Sequence, residues 1–195
     1  MDKTLSFSLM TRRRLCAAVG LGWLASTRAW AADACPALLQ HTLPRLQDEK
    51  PQDLCQYAGK VLLVVNTASY CGFTGQYKAL ETLAQRYGER GLVVLGFPSN
   101  DFAQEPGSNK DIAEFCENTF NVKFPMFAKS STRAGRADSN PLIVELAKRS
   151  GKAPSWNFHK YLVSRDGKQV LSFGSMTDPL SSGFVREVER LLFHA

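Results

Sequence analysis

The sequence lacks the residue clusters that hold metals or carry out dithiol chemistry. None of its five cysteines forms a CxxC pair, and its three histidines, His41, His159 and His194, are scattered along the chain. Protein metal sites usually draw several Cys or His ligands from short, regular spacings. The sequence therefore implies neither a metal nor any other cofactor.

The sequence also lacks an apolar run that would span a bilayer comfortably, since a spanning helix needs about 20 residues. Its short apolar run, Leu15 to Ala25, follows Arg12-Arg13-Arg14 and precedes Ala29-Trp30-Ala31. A basic region, a short apolar core and a small-x-small site are typical of a secretory signal. We expect residues 1–31 to be a cleavable signal peptide, and residues 32–195 to be one exported, periplasmic domain without a stable membrane anchor.

The arginines of this segment bear on both the export route and the overall charge. The arginine pair between Thr11 and Leu15 resembles a twin-arginine signal, and Sec export is the other possible route. The alternative to a signal is a disordered basic N-terminus. Residues 1–31 hold five basic residues and one acidic residue, so residues 32–195 carry only +2 of the net charge of +6. The basic character of the chain is therefore no argument for nucleic-acid binding.

The hydrophobic pattern predicts alternating strands and helices with no internal repeat or linker. Val61 to Val65 and Leu92 to Phe97 are continuous apolar runs, as in strands buried on both faces. Residues 32–58 read as an irregular lead-in, and Asp166-Gly167 is typical of a hairpin turn. The other expected elements are helices after Asn66–Thr74, after Ser108, from Asn140-Pro141 to about Ser150 and over Gly183–Phe193, with a short strand at Phe124–Ala128. This order predicts an α/β protein, a three-layer α/β/α sandwich with a thioredoxin-like fold.

Cys71 follows the first core strand and stands at or just before a helix N-terminus. Backbone N–H groups and the helix dipole favour a thiolate at such a position, and the thiolate is the reactive form of cysteine. A buried structural thiol or a disulfide partner is the alternative at this point.

Three motifs resemble those of the glutathione peroxidase family. They are Asn66-Thr67-Ala68-Ser69-Tyr70-Cys71-Gly72-Phe73-Thr74, then Phe97-Pro98-Ser99-Asn100 with Gln104-Glu105-Pro106-Gly107, and Trp156-Asn157-Phe158. The resemblance runs from about Gly59 to Leu192. It implies a peroxidase that reduces hydrogen peroxide or organic hydroperoxides, with the catalytic residues Cys71, Gln104, Trp156 and Asn157. Selenium is not implied, because a cysteine occupies the reactive position.

The family chemistry assigns a role to each of these residues. The thiolate of Cys71 would attack a peroxide oxygen and become a sulfenic acid. The amides of Gln104 and Asn157 and the indole of Trp156 would donate hydrogen bonds to the thiolate or the departing oxygen. Two positions depart from the usual pattern, namely Asp101 in place of a Gln and Ser99 in place of a common cysteine. We expect Asp101 to face solvent.

The resemblance also predicts how the oxidised enzyme is recycled. Cys116 matches the resolving cysteine of the two-cysteine, thioredoxin-linked members, with a buried helix thiol as the alternative. The short segment Arg149–Ser155 resembles that of the small, thioredoxin-preferring branch, which implies a monomer or a weak dimer. The reductant would be a thioredoxin-like protein or glutathione. Because an exported chain does not meet cytosolic thioredoxin, we hypothesise a dedicated membrane-fed thiol donor. Cys35 and Cys55 lie outside the motifs, and we expect them to form a structural disulfide, with a second resolving role as the alternative.

Three other functions are alternatives to a peroxidase. A thiol–disulfide oxidoreductase of the same fold generally needs CxxC, and Thr74 occupies the second cysteine position here. A copper-delivery protein would need paired cysteines and a suitably placed histidine. A non-enzymatic relay, in which Cys71 senses peroxide and oxidises a partner, stays open because it shares the first chemical step.

Overall fold

A mixed four-stranded sheet forms the centre of the domain. The computed structural model describes residue 1 and residues 35–193, so the expected signal at residues 1–31 lies outside the described residues. The strands are β3 (Val61–Thr67), β4 (Leu92–Pro98), β5 (Lys160–Val163) and β6 (Val170–Phe173), in the spatial order β4-β3-β5-β6. β3 and β4 are parallel, whereas β5 pairs antiparallel with both β3 and β6.

Helices cover both faces of this sheet, because β3 is apolar on both sides. α1 (Gln76–Tyr87) and α4 (Ser182–Phe193) pack on one face together with the buried residues of α2 (Asn109–Phe120). α3 (Pro141–Ser150) packs on the other face. The three-layer α/β/α sandwich of thioredoxin type is therefore confirmed.

Local sequence signals account for the helix boundaries and the hairpin. Ser108 and Asp111 form a reciprocal capping box at the start of α2, and the side chain of Asn140 caps α3 just before Pro141 at its first turn. Gly167 adopts a φ of 71° in the loop between β5 and β6, a conformation that glycine accepts at little cost.

The lead-in segment is more regular than the sequence analysis expected. Short strands β1 (Thr42–Pro44) and β2 (Pro51–Asp53) pair antiparallel, and single 3-10 turns at Ala37–Leu39 and Leu54–Tyr57 flank them. Three-residue strands of alternating exposed and half-buried residues leave no usable hydrophobic pattern, which explains why an irregular segment was predicted.

The strand expected at Phe124–Ala128 is reduced to two isolated bridges. Met126 bridges to Gly96 of β4, and Phe127 bridges to Arg45. A Cβ at Gly96 would lie 2.1 Å from the Met126 sulfur, so any larger residue there would force the Met126 side chain to move. Among the described residues, no helix has the length and apolar character needed to cross a membrane.

Candidate active site

Cys71 lies in the tight turn between β3 and α1, and its side chain is only 9% exposed. The backbone N–H of Phe73 donates to Cys71 Sγ at 3.4 Å. The Cys71 N–H itself donates to the Thr74 hydroxyl, which in turn donates to the Cys71 carbonyl. The turn therefore aims a backbone donor at the sulfur.

Thr74 accounts for the single thiol of this turn, where a dithiol protein would have a pair. The residue is buried, and its hydroxyl also lies within hydrogen-bonding distance of the Ala68 carbonyl at 3.0 Å. A hydroxyl that links both ends of the turn stands where an oxidoreductase of this fold would have its second cysteine. The second position thus has a structural role in place of a redox role.

Gln104 and Asn157 come together from distant parts of the chain. Asn157 Nδ2 donates to Gln104 Oε1 at 2.8 Å, and the Gln104 backbone carbonyl accepts a hydrogen bond from the N–H of Tyr70, the residue before Cys71. Because Asn157 occupies the Gln104 oxygen, the amide NH₂ of Gln104 is the group left for donation. Among the described residues, the single hydrogen bond to Cys71 Sγ is that from Phe73, so neither amide bonds the sulfur directly.

Trp156 lies at the surface beside this pair. Its side chain is 40% exposed, and its ring packs against Phe102 with centroids 5.3 Å apart. Asn66, at the end of β3, fixes the adjoining backbone: its Nδ2 donates to the Trp156 carbonyl, and its Oδ1 accepts from the His159 N–H. Asn66 was quoted in the first motif without a role, and the structure shows it linking the strand before Cys71 to the segment that carries Trp156 and Asn157.

Both amide residues are next to backbone in the left-handed region. Ala103, before Gln104, has a φ of 56°, and Phe158, after Asn157, has a φ of 61°. Such a conformation costs a non-glycine residue about 1–2 kcal/mol, and it persists where the surrounding structure imposes it. These two strained residues set the directions in which Gln104 and Asn157 leave the backbone.

Glu105 is a site residue to which the sequence assigned no role. It is fully buried, and its Oε2 accepts from the N–H and the hydroxyl of Ser69 at 2.7 and 3.0 Å. Burial raises the pKa of Glu105, against the hydrogen bonds from Ser69 that lower it. The carboxyl group thus links the segment before Cys71 to the loop that holds Gln104.

The expectation that Asp101 faces solvent is wrong. Its partly buried carboxylate accepts hydrogen bonds from Ser99, from the hydroxyl of Ser131, and from the N–H and hydroxyl of Thr132. Burial alone would raise the pKa of Asp101, but the hydrogen bonds from Thr132, Ser131 and Ser99 outweigh it and hold the pKa below its usual value. Asp101 therefore anchors its loop, and its charge is already satisfied.

Cys116 is a buried free thiol on α2, 3% exposed. Burial raises its pKa to about 11, opposed by the neighbouring Tyr77 hydroxyl. The rings of Tyr70 and Phe115, which precede Cys71 and Cys116, stack with centroids 6.3 Å apart. The segments that carry the two thiols are therefore neighbours, while Cys116 itself is protonated and shielded.

Comparisons with known proteins connect this chain with one family. The family model for glutathione peroxidase matches residues 40–157, more than half of the chain. Glutathione peroxidase-like peroxiredoxin 2 of Saccharomyces cerevisiae is 47% identical over 141 residues, covering 70% of this chain and 86% of that protein. Hydroperoxy fatty acid reductase gpx1 of a Synechocystis species is 44% identical over 156 residues, covering 74% and 90%. The crystal structure of Trgpx in apo form is 33% identical with a TM-score of 0.61, covering 80% of this chain and 95% of that one.

The chain belongs to the glutathione peroxidase family. It is an enzyme, a thiol peroxidase that reduces hydroperoxides. The individual roles of Cys71, Gln104, Trp156 and Asn157 remain predictions.

The other two cysteines in the part of the chain that the structure describes form a disulfide. Cys35 and Cys55 are bonded, with Cα atoms 5.2 Å apart, and this is the pairing that the sequence analysis expected. The bond joins Cys35, just before the first 3-10 turn, to Cys55 in the second, so it brackets the hairpin of β1 and β2. It therefore fastens the lead-in segment to itself, away from the thiols of Cys71 and Cys116.

His159, which is buried in the described part of the chain, has a structural role and is no candidate for a general base. His159 is buried, its Nε2 lies 2.8 Å from the Ser172 hydroxyl, and burial lowers its pKa to about 4. A neutral imidazole committed to the sheet in this way is a structural group. Within the described part of the chain, no three His, Cys, Asp or Glu side chains are grouped so as to hold a metal ion.

Proposed function

We propose that the enzyme reduces hydroperoxides at Cys71. The thiolate attacks the terminal peroxide oxygen, the O–O bond breaks, and the departing oxygen takes a proton to become water or an alcohol while Cys71 becomes a sulfenic acid. The observation that carries the proposal is the turn that aims the Phe73 N–H at the sulfur, with the linked amides of Gln104 and Asn157 on the adjoining loops.

The donors around the turn suit a reaction in which charge moves from sulfur to oxygen. Preorganised N–H donors stabilise such charge without reorganisation at the moment of reaction. In this proposal, the NH₂ of Gln104 and the indole N–H of Trp156 receive the departing oxygen, and Asn157 holds Gln104 in the donating orientation. Removing one such donor typically costs 10²–10³-fold in rate.

Cys116 closes the proposed cycle. Its thiol attacks the sulfur of the Cys71 sulfenic acid, a disulfide forms, and the hydroxyl leaves as water with the thiol proton. Because Cys116 is buried and protonated in this structure, α2 has to open before the attack. A thioredoxin-like protein or glutathione then reduces the disulfide.

The surface near Cys71 suits organic hydroperoxides as well as hydrogen peroxide. Tyr70 is 70% exposed, and Trp156 and Phe102 form an aromatic pair on the adjoining loops. Aromatic surface of this kind accepts an alkyl chain, and one relative is named hydroperoxy fatty acid reductase. We therefore include organic hydroperoxides in the proposed substrate range.

The proposed setting is the periplasm, where the enzyme acts as a monomer. A structural disulfide between Cys35 and Cys55 fits an oxidising compartment, and the sequence of residues 1–31 has the features of a signal. The corresponding reductant would be a membrane-fed thiol donor. Retention of the intact chain in the cytoplasm would contradict this part of the proposal.

Turnover of hydrogen peroxide by residues 32–195, with thioredoxin or glutathione as reductant, tests the proposed cycle. Cys71→Ser should abolish turnover. Cys116→Ser should still consume one equivalent of peroxide, but it should show no thioredoxin-coupled turnover. Mass mapping of the oxidised wild-type enzyme should find a Cys71–Cys116 disulfide. Full thioredoxin-coupled turnover by Cys116→Ser would refute the resolving role, and activity in Cys71→Ser would refute the peroxidatic role.

A further inference from the structure

A lysine is fully buried at the start of β5. Lys160 is 0% exposed, and its Nζ donates to the carbonyl oxygen of Phe158 at 2.6 Å. Among the described residues, this is the one hydrogen bond that its ammonium makes to protein, and no salt bridge involves it. Burying an ammonium is costly, so such a group is expected to serve a specific contact.

The carbonyl that Lys160 holds belongs to a strained residue beside the active site. Phe158 adopts a φ of 61°, and its N–H donates to the Asn66 carbonyl at 2.7 Å. The left-handed backbone of Phe158 sets the direction of Asn157, whose amide contacts Gln104. Both peptide groups of Phe158 are therefore held in place. Its N–H is held by the Asn66 carbonyl, and its carbonyl oxygen is held by the Lys160 ammonium.

The sheet register places Lys160 on the Cys71 side of the sheet. Lys160 lies opposite Val65 of β3, and Leu162 follows two residues later on the same face. Val65, Leu162 and Phe158 belong to the same hydrophobic cluster as Cys71. The lysine thus reaches the strained turn from the apolar layer that also supports the reactive cysteine.

We propose that Lys160 is a positioning residue for peroxide reduction: its ammonium holds the Phe158 carbonyl and so keeps Asn157, and through it Gln104, in the donating geometry. This inference rests on the proposed roles of Cys71, Gln104 and Asn157. Lys160 touches neither the sulfur nor the substrate in this proposal, and it acts through the backbone of the Trp156–Phe158 segment.

The charge state of Lys160 makes the proposal sensitive to pH. Burial lowers its pKa to about 8, and Asp178, in the loop between β6 and α4, opposes this effect. His159, which directly precedes β5, is neutral because its pKa is about 4. Loss of the proton weakens the bond to Phe158, since a charged donor makes the stronger hydrogen bond. The rate of Cys71 oxidation should therefore decline as the pH rises above about 8.

Single-turnover oxidation by hydrogen peroxide tests this role in a Cys116→Ser background, which isolates the first step. Lys160→Met keeps the length of the side chain but removes the donor, and it should slow Cys71 oxidation about tenfold. Lys160→Arg should restore most of the rate and abolish the decline above pH 8, because arginine stays charged. Lys152→Met, on an exposed loop residue, is the matched control and should change neither the rate nor the pH profile.

The outcomes separate this inference from the proposed function. A folded Lys160→Met enzyme with the parent rate and pH profile would overturn the positioning role. If Lys160→Met does not fold, the parent profile alone decides, because a rate that keeps rising from pH 8 to 10 would contradict the proposal. Peroxide consumption that does not depend on Cys71 would instead refute the proposed function.

Discussion

Replacement of Glu105 by alanine should loosen the turn that carries Cys71. Glu105 accepts two hydrogen bonds from Ser69 in a fully buried position. Glu105→Ala leaves the Ser69 N–H without its acceptor, at a cost of about 1–3 kcal/mol. It also removes buried side-chain atoms, while relief of the buried charge offsets part of the loss. We expect the free energy of unfolding to fall by about 2–3 kcal/mol.

Glu105→Gln is the matched control, because its side-chain oxygen can still accept from Ser69. In urea titrations, Glu105→Ala should lower the midpoint with an unchanged slope, and in thermal scans it should lower Tm by about 5–10 °C. The Gln variant should stay close to wild type in both. Cys71 oxidation should slow about tenfold in the Ala variant only, since a small displacement of a reacting group has an effect of this order.

The titration of Glu105 gives an independent check with a defined sign. Its pKa in the folded protein is raised by burial above the ordinary glutamate value that applies in the unfolded chain. Such a group contributes stability that is fully present below the unfolded pKa and is lost as the pH rises through the folded value. Relative to Glu105→Gln, wild type should therefore gain stability as the pH falls from 7 to 4. Equal stability of the Ala and Gln variants would refute the anchoring role of Glu105.

Three further predictions concern the disulfide, Asp101 and the second thiol. Replacing Cys35 and Cys55 together by serine should cost about 3 kcal/mol of stability in urea titrations, because the bond closes a loop of about 20 residues, and it should leave the rate of Cys71 oxidation unchanged. Asp101→Asn should cost about 1–2 kcal/mol at pH 7. Because the folded pKa of Asp101 is depressed, the difference from wild type should start to shrink as the pH falls below about 4 and should disappear as the pH passes the folded pKa. In the reduced enzyme at pH 8, iodoacetamide should alkylate Cys71 about 100-fold faster than Cys116, whose thiol is buried with a pKa of about 11. A stable serine double variant, a difference for Asp101→Asn that persists at low pH, or equal labelling of the two thiols would contradict these expectations in turn.

Continuous hydrophobic runs and capping residues made much of the fold predictable. β3 is apolar from Val61 to Val65 and β4 is apolar throughout, and Ser108 and Asn140 carry the side-chain chemistry that begins a helix. The thioredoxin-like arrangement followed from the order of these elements. The hairpin of β1 and β2 was missed because strands of three residues show no alternation that separates them from a loop.

The site was predictable as a set of residues but not as a network. The motifs named Gln104 and Asn157, yet only the fold shows that one amide holds the other. Asp101 was assigned to solvent because its partners lie about thirty residues further along the chain. Lys160 received no role because a charged residue in a strand normally faces water, and its burial depends on the strained carbonyl of Phe158.

The central claim is that Cys71 is the residue that peroxide oxidises. The most direct measurement treats Cys116→Ser with one equivalent of hydrogen peroxide in the presence of dimedone, which traps sulfenic acids, and maps the adduct by mass spectrometry. The prediction is one dimedone adduct per chain, on Cys71, with none in Cys71→Ser. An unmodified Cys71 after the peroxide has been consumed would contradict the claim.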